Sequence, residues 1–429
     1  MREVLAIKNK SLSNAKIISR SEHHISRKNI DPRAIKVLYR LKSCGYDAYL
    51  VGGCVRDLLL GHSPKDFDIV TNAKPEEIKK IFRNCRLIGR RFRLAHIIFG
   101  KNEFIEVATF RSHYADDNNQ DNLTQHGLVI RDNVYGTIEE DAWRRDFTIN
   151  ALYYNIADFS IVDFMEGVKD LHNKQLRIIG QAKKRYQEDP VRMIRAIRIA
   201  SKLNMEITPD TAAPIKKMVE LLYQISSSRL FDEVIKLFHT GHASQAFPAL
   251  RKYDLFAILF PDTEAYLTSE EGGHFINMLE KAFVETDLRV NLDKSVSPAF
   301  LFALLLWPAI EREINHLQKT KNIPPMTALA QAVRTVLHNQ NKITAIPRRL
   351  SASIHEIWYL QYRLIKKQEK TIYRCLNNSR FRAGFDLLAL RALVTPDLQD
   401  SVDWWALFQT SNSKQREQLI EEQNQKKSK

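Results

Sequence analysis

Apolar and polar positions change their period part-way along the chain, and that change divides it. Between Asp31 and about Asp158 short alternating runs are interleaved with amphipathic ones. Alternation of period two marks strands, and apolar positions three and four apart mark helices. The pattern predicts a helix over Pro32–Cys44, then DAYLVGGCVRDLLLG (Asp47–Gly61) as a strand, a Gly52-Gly53 turn and a helix opening at Cys54. A strand carrying Asp66 and Asp68 follows. Pro75 with Glu76 and Glu77 behind it starts the next helix. RLAHIIFG and FIEVATFR flank Gly100-Lys101-Asn102 and read as a hairpin. Thr137 with Glu140 is a capping-box pattern, predicting a helix that starts there and gathers Arg145, Asp146, Ile149 and Asn150 on one side. From about Gln181 onward the periodicity is helical, broken at Pro190, Pro209, Pro261, Pro324-Pro325 and Pro347. The expected fold class is therefore α+β: a head built on a mixed β-sheet, followed by an all-α region.

Boundaries follow from the same pattern: a flexible start (1–26), an α/β head (27–158), a helical neck (159–240), a helical body (241–410) and a polar tail (411–429). Both ends are polar and read as loose. The polar loop Ser112–His126 has no anchoring core residues; it is a mobile surface excursion or a segment that closes over a substrate. The most apolar run, LFALLLWPAI from Leu301, is short of the roughly 20 residues that a spanning helix needs and contains Pro308, so it reads as a buried helix. No secretory signal pattern is present, and the cytoplasm is the expected compartment. Cys44, Cys54, Cys85 and Cys375 form no C-x-x-C pair, which points to neither zinc nor a disulfide framework. A monomer is expected.

Charge narrows the class of partner. Lys and Arg outnumber Asp and Glu by 65 to 50, a net charge of +15 across 429 residues, and a polyanion is the natural partner. In SPKDFDIVT (Ser63–Thr71), Asp66 and Asp68 lie two apart, so on a strand both face one side while Phe67 and Ile69 enter a core. Like charges held that close repel, and a divalent cation relieves them. Upstream, Gly52 and Gly53 bare main-chain N–H groups to an anion and Arg56 adds charge. A Gly-Gly turn alone is more often ordinary turn chemistry, and Asp-x-Asp alone is more often solvated or salt-bridged. At this separation they describe a triphosphate-and-magnesium site.

The pattern G-G-x-V-R-D followed by D-x-D resembles the class II nucleotidyltransferases, the bacterial poly(A) polymerases and CCA-adding tRNA nucleotidyltransferases. TIEEDAWRRDFTINALYY (Thr137–Tyr154) resembles that family's second motif, and RYQEDPVRMIRAIRIASKL (Arg185–Leu203) its E-D-x-x-R motif. The resemblance implies that Asp66 and Asp68 hold two Mg2+ ions and that Asp146 complements them in catalysis. It implies ATP contacts from Gly52, Gly53, Arg56, Asp57, Arg111, Arg145 and Asn150. Asp189 and Arg192 would select the base, and Arg195 and Arg198 would take phosphate. Glu106 either supports the metal site or is an edge-strand acid paired with an arginine. CRLIGRRFRLAHIIF (Cys85–Phe99), FRAGFDLLALRA (Phe381–Ala392) and IPRRLSASIHEIWYLQYRL from Ile346 resemble the poly(A) polymerase branch, and the likeness runs from about His24 to Trp405. The implied activity is template-independent addition of adenosine from ATP to RNA 3′ ends, promoting RNA decay. The alternatives are a CCA-adding enzyme and a non-catalytic RNA-binding protein. Two departures stand out: Cys54 replaces a small Gly or Ala, and the tail lacks the long arginine-rich extension of some members.

Overall fold

The computed structural model describes residues 12–89, 93–112 and 134–428, which fall into two compact units divided between Met218 and Val219. Most of the polar loop and the 90–92 part of the Cys85–Phe99 stretch lie outside the described residues.

In the first unit eight strands form one mixed sheet: β1 (Lys16–Ile18), β2 (Ala48–Val51), β3 (Ile69–Thr71), β4 (Cys85–Ile88), β5 (Leu94–Gly100), β6 (Glu103–Thr109), β7 (Leu152–Asn155) and β8 (Ile161–Asp163). Their spatial order is β1-β8-β7-β2-β3-β6-β5-β4; only β3 and β6 run parallel. Every residue of β2 is buried, as a strand covered on both faces must be. Alternation sorts the side chains. Leu50, Ile69, Val107 and Tyr154 pack on one face with the Pro32–Ser43 helix, and Tyr49, Val51, Val70 and Tyr153 pack on the other with Ile138 and Ala142. The expected hairpin is β5–β6, turned at Asn102 with φ of 65°.

Four expectations change. β3 begins at Ile69, so Asp66 and Asp68 precede the strand. The Val51 N–H still bonds the Asp68 carbonyl (3.1 Å), but β2 then turns away at Gly52 and leaves residues 66 and 67 unpaired. The helix expected to carry Arg145, Asp146, Ile149 and Asn150 stops at Arg144, followed by a 3-10 turn at Thr148–Asn150 and then β7, because Leu152 and Tyr154 pair with the sheet. The start is ordered from residue 12: β1 pairs with β8 through backbone bonds that need no apolar pattern. The tail forms a helix, Ser413–Ser428, built from good helix formers and pinned where Ile420 joins Trp405 and Phe408 in a core.

The second unit is helical. LFALLLWPAI divides into buried parts of two helices, Pro298–Leu305 and Trp307–Lys321, with Pro308 in the first turn of the latter, where a missing N–H costs nothing. Trp358 donates its indole N–H to the Ala303 carbonyl (3.0 Å), and Trp405 donates to Leu364 (2.8 Å). Among the described residues no helix is long and apolar enough to cross a membrane. The four cysteines are free thiols, and Cys54, Cys85 and Cys375 are buried.

Gly167 ties the sheet to the turn at Thr148: a Cβ there would fall 2.3 Å from the Thr148 carbonyl oxygen. Backbone must shift to admit it, so Gly167→Ala is expected to destabilise the protein by about 1–3 kcal/mol. Thermal unfolding checks this, and an unchanged midpoint would refute the close approach.

Candidate functional site

The site is built where β2 ends. Gly52 takes φ of 79°, a left-handed conformation open to glycine, and Gly53 opens the Gly53–Leu59 helix. The turn lies close beneath two guanidiniums: Arg145 Nη1 would be 3.5 Å from a Cβ on Gly52, and Arg56 Nη2 3.4 Å from one on Gly53. Cys54 does not intrude on the turn. Its thiol donates to the Val51 carbonyl (3.3 Å), packs in the apolar core, and is pushed up to about 12 by burial.

Asp66 and Asp68 stand exposed at the head of β3. The parallel register of Ile69 with Val107 brings Asp68 level with Glu106. Protein atoms crowd the Asp68 carboxyl although part of the residue faces solvent. That desolvation, with Glu106 and Asp66 adding repulsion and Arg145 opposing, pushes it up to about 6. Glu106 is raised for the same first reason, with Arg111 opposing and Asp66 adding; His96 Nε2 lies 3.5 Å from its Oε2. Asp68 and Glu106, each repelled by Asp66, thus remain raised despite Arg145 and Arg111, and an added cation would relieve them. Among the described residues no group of three or more His, Cys, Asp or Glu side chains is arranged to hold a metal ion alone. The donor set therefore fits a hard cation that takes one or two carboxylates and completes its shell with water and phosphate oxygens, as Mg2+ commonly does.

Behind the acids, the capping box forms as its sequence predicts: Thr137 Oγ1 accepts from the Glu140 N–H (3.2 Å), and Glu140 accepts from the Thr137 N–H (2.7 Å). The helix it starts presents Asp141, fully buried, to four donors. Oδ1 accepts from Arg144 Nε (3.0 Å) and the Arg111 N–H (3.3 Å); Oδ2 accepts from Arg145 and from the Tyr153 hydroxyl (2.9 Å). Burial alone would raise this carboxyl, but Arg145 and Arg144 outweigh it and hold it down to about 2. Arg185 donates to the carbonyls of both Arg144 and Arg145 (2.6 Å each), closing the helix end. Burial lowers Arg185 to about 10, with Arg192 adding and Glu188 opposing.

A second chain of polar contacts begins and ends on the Val191–Leu203 helix. Arg195 pairs with Asp146 Oδ2, and Asp146 Oδ1 accepts from Asn150 Nδ2 (3.0 Å). Arg56 Nη1 donates to Asn150 Oδ1 (2.7 Å), Arg56 binds Asp57 Oδ1 (2.6 and 2.8 Å), and Lys202 reaches Asp57 Oδ2 (3.3 Å). Burial opposes the ionised Asp146, yet Arg195, Asn150 and the Phe147 N–H hold it well below the usual carboxylate range.

The structure brings the expected residues together in part. Asp146 is committed to Arg195 and Asn150, and the carboxylate level with Asp68 is Glu106. Arg56 and Arg195 are ion-paired, and Arg192 binds Glu188 (3.1 Å) and the Arg185 carbonyl (3.0 Å). Asp189 is half-buried ahead of the Val191–Leu203 helix and accepts from the Val191 N–H (3.3 Å); Arg198 lies on the same helix, half-buried. Asp141, Tyr153, Arg185, Glu188 and Lys202 were missed. The spacings of Asp141 to Arg145 and of Glu188 to Arg192, four residues each, were the available signals.

Over 412 residues, 95% of this chain and 88% of its relative, the sequence is 46% identical to Poly(A) polymerase I of Escherichia coli O6:H1. The chain belongs to the bacterial poly(A) polymerase family. Haemophilus influenzae Poly(A) polymerase I matches at 46% over 95% of this chain and 91% of that one. Family models match as the Poly A polymerase head domain (48–177), the probable RNA and SrmB-binding site of polymerase A (204–267) and the polymerase A arginine-rich C-terminus (321–429). A CCA-adding enzyme of Lactobacillus helveticus is 40% identical, over 50% of this chain and 52% of its own. Among solved structures, the Bacillus stearothermophilus CCA-adding enzyme in complex with CTP gives a TM-score of 0.58 at 25% identity, covering 87% of this chain and 81% of that one. The poly(A) polymerase family thus shares its nucleotidyltransferase fold with the CCA-adding enzymes.

The Asp141 cluster carries a pH signature. Its folded value of about 2 lies below the ordinary 3.8, so its stabilisation is complete above the ordinary value and is lost as pH falls toward 2. A shift of that size is worth about 2 kcal/mol. Denaturant unfolding of wild type and Asp141→Asn should show a gap near pH 7 that narrows toward pH 3; a gap independent of pH would remove the ionised pair as its source.

Proposed function

We propose that this chain extends RNA 3′ ends with adenosine taken from ATP, without a template and with release of pyrophosphate. The observation that carries the reading is the extent of the likeness: 46% identity to Poly(A) polymerase I spans 95% of the chain, whereas the CCA-adding relative matches half. In this reading the enzyme works in the cytoplasm and serves RNA decay.

Asp66 and Asp68 hold the divalent metal, with Glu106 raising the site's appetite for positive charge. When bound, the metal lowers the pKa of the RNA 3′-hydroxyl and offsets charge on the triphosphate. The chain's own residues supply position. The Gly52-Gly53 turn brings backbone close to the phosphates, and Arg145, whose Nε and Nη2 are spent on Asp141, faces the turn with Nη1. Asp146 acts through Arg195 and Asn150 as a positioning residue. Asp189 and Arg192 select the base, with Arg192 held straight by Glu188. The net charge of +15 favours RNA backbone contacts with little sequence choice.

A CCA-adding activity is the second reading, favoured by the fold shared with a CTP-bound CCA-adding enzyme. Extension assays on an unstructured RNA and on a tRNA lacking its CCA end, with each nucleotide alone and mixed, decide between them. Long adenosine tails on both RNAs are expected; addition that stops at cytidine, cytidine, adenosine on the tRNA alone would transfer the assignment. Asp66→Asn and Asp68→Asn should each cost several orders of magnitude in extension while RNA binding stays near wild type. More than about a tenth of wild-type rate in either variant is incompatible with the metal-ligand role, since loss of a metal-held transition state costs at least tenfold per ~1.4 kcal/mol.

A further inference from the structure

The helical unit holds a cleft of about 580 Å3 between the Phe275–Asn291 and Phe381–Ala392 helices. Its lining includes apolar Phe300, Ile357 and Leu390. Two of its four cations are already neutralised: Lys281 pairs with Glu285 (3.2 Å) and Arg382 with Asp386 (2.9 Å). Among the described residues Arg289 and Arg380 lie within ion-pair distance of no carboxylate, although Arg289 is near enough to Asp386 to favour its ionised form; four cations against two carboxylates leave the lining two net positive charges. The Arg380 Nε is buried without a hydrogen-bond partner, an unmet donor in the wall. Ser297 starts the Pro298–Leu305 helix without using its hydroxyl as a cap, and the Ser295 and Ser379 hydroxyls join it at the same cleft.

An apolar floor, two guanidiniums outside any close ion pair and three hydroxyls ask for a ligand that is flat and apolar on one side and anionic on the other. A nucleotide has both parts: the base covers the floor, and the phosphate meets the guanidinium forks. We propose that this cleft seats one unpaired nucleotide of a bound RNA strand, with its phosphate on Arg289 and Arg380. The proposal rests on the reading that the chain acts on RNA. A free nucleotide offers the same chemistry, so the two sources need separating.

The full chain is irradiated with a 3′-blocked oligoadenylate carrying one photoreactive azidoadenosine, and in parallel with azido-AMP; crosslinked peptides are then mapped. Blocking the 3′ end removes catalysis from the readout, so failure here is distinct from failure of the polymerase reading. Oligonucleotide crosslinks are expected in peptides spanning Ser295–Phe300 and Ser379–Leu390. Arg289→Ala and Ser297→Ala are exposed changes that should leave the thermal midpoint in place. Arg289→Ala should weaken oligonucleotide binding about tenfold and flatten the slope of log affinity against log salt by about 0.7, the share of one single-strand phosphate contact. Crosslinks confined to other peptides, or an unchanged affinity and salt slope in Arg289→Ala, would overturn the proposal. Labelling of the cleft by azido-AMP but not by the oligonucleotide would assign it to free nucleotides and equally overturn the RNA seat.

Discussion

The first unit depends on keeping buried carboxylates ionised. Asp141 is wholly buried and Asp146 nearly so, and neither pays its desolvation cost without arginine. Removing one partner from such a pair typically costs about 3–5 kcal/mol, because the other charge is left stranded. The arginines come from different places. Arg144 and Arg145 follow Asp141 on its own segment, while Arg195 arrives from the Val191–Leu203 helix. The same charge balance therefore fixes the end of one helix, the turn before β7 and the seat of another helix on the head.

That balance also explains which guanidinium donors remain for an anion. Arg56 spends Nε and Nη2 on Asp57 and Nη1 on Asn150. Arg195 spends Nε and Nη2 on Asp146. Arg145 spends Nε and Nη2 on Asp141 and points Nη1 at the glycine turn. An arginine anchored on one edge offers the other edge at little further entropic cost. Cation supply at the turn thus comes from a residue 93 positions away in sequence (145 − 52), held there by a fully buried carboxylate.

Local physics was legible in the sequence, and distant pairing was not. The β5–β6 hairpin, the Asp31-capped helix and the Thr137 capping box all follow from residues within a few positions of each other. The helix expected through Asn150 ends at Arg144 because the sheet, which no local window contains, claims Leu152–Asn155 as a strand. The ion pairs are harder still. Arg195 finds Asp146 across 49 residues, Arg56 finds Asn150 across 94, and Lys202 finds Asp57 across 145. Charge and motif identified most of these groups as site residues, but only the fold says which of them hold each other.

The E-D-x-x-R run shows what that difference means for specificity. Read alone, its acid and arginine are two hydrogen-bonding edges facing a base. In the structure Glu188 accepts from both Arg192 and Arg185, and Arg185 in turn grips the carbonyls that end the Asp141 helix. Discrimination between bases comes from polar groups left unpaired in the wrong complex, and that penalty exists only if the protein side cannot swing away to find water. Under the proposed function, Arg192 would serve as a reader to the degree that Glu188 stops it moving. The glutamate that opens the motif supplies this restraint, and through Arg185 it ties Arg192 to the end of the helix whose Asp141 holds Arg145 over the glycine turn.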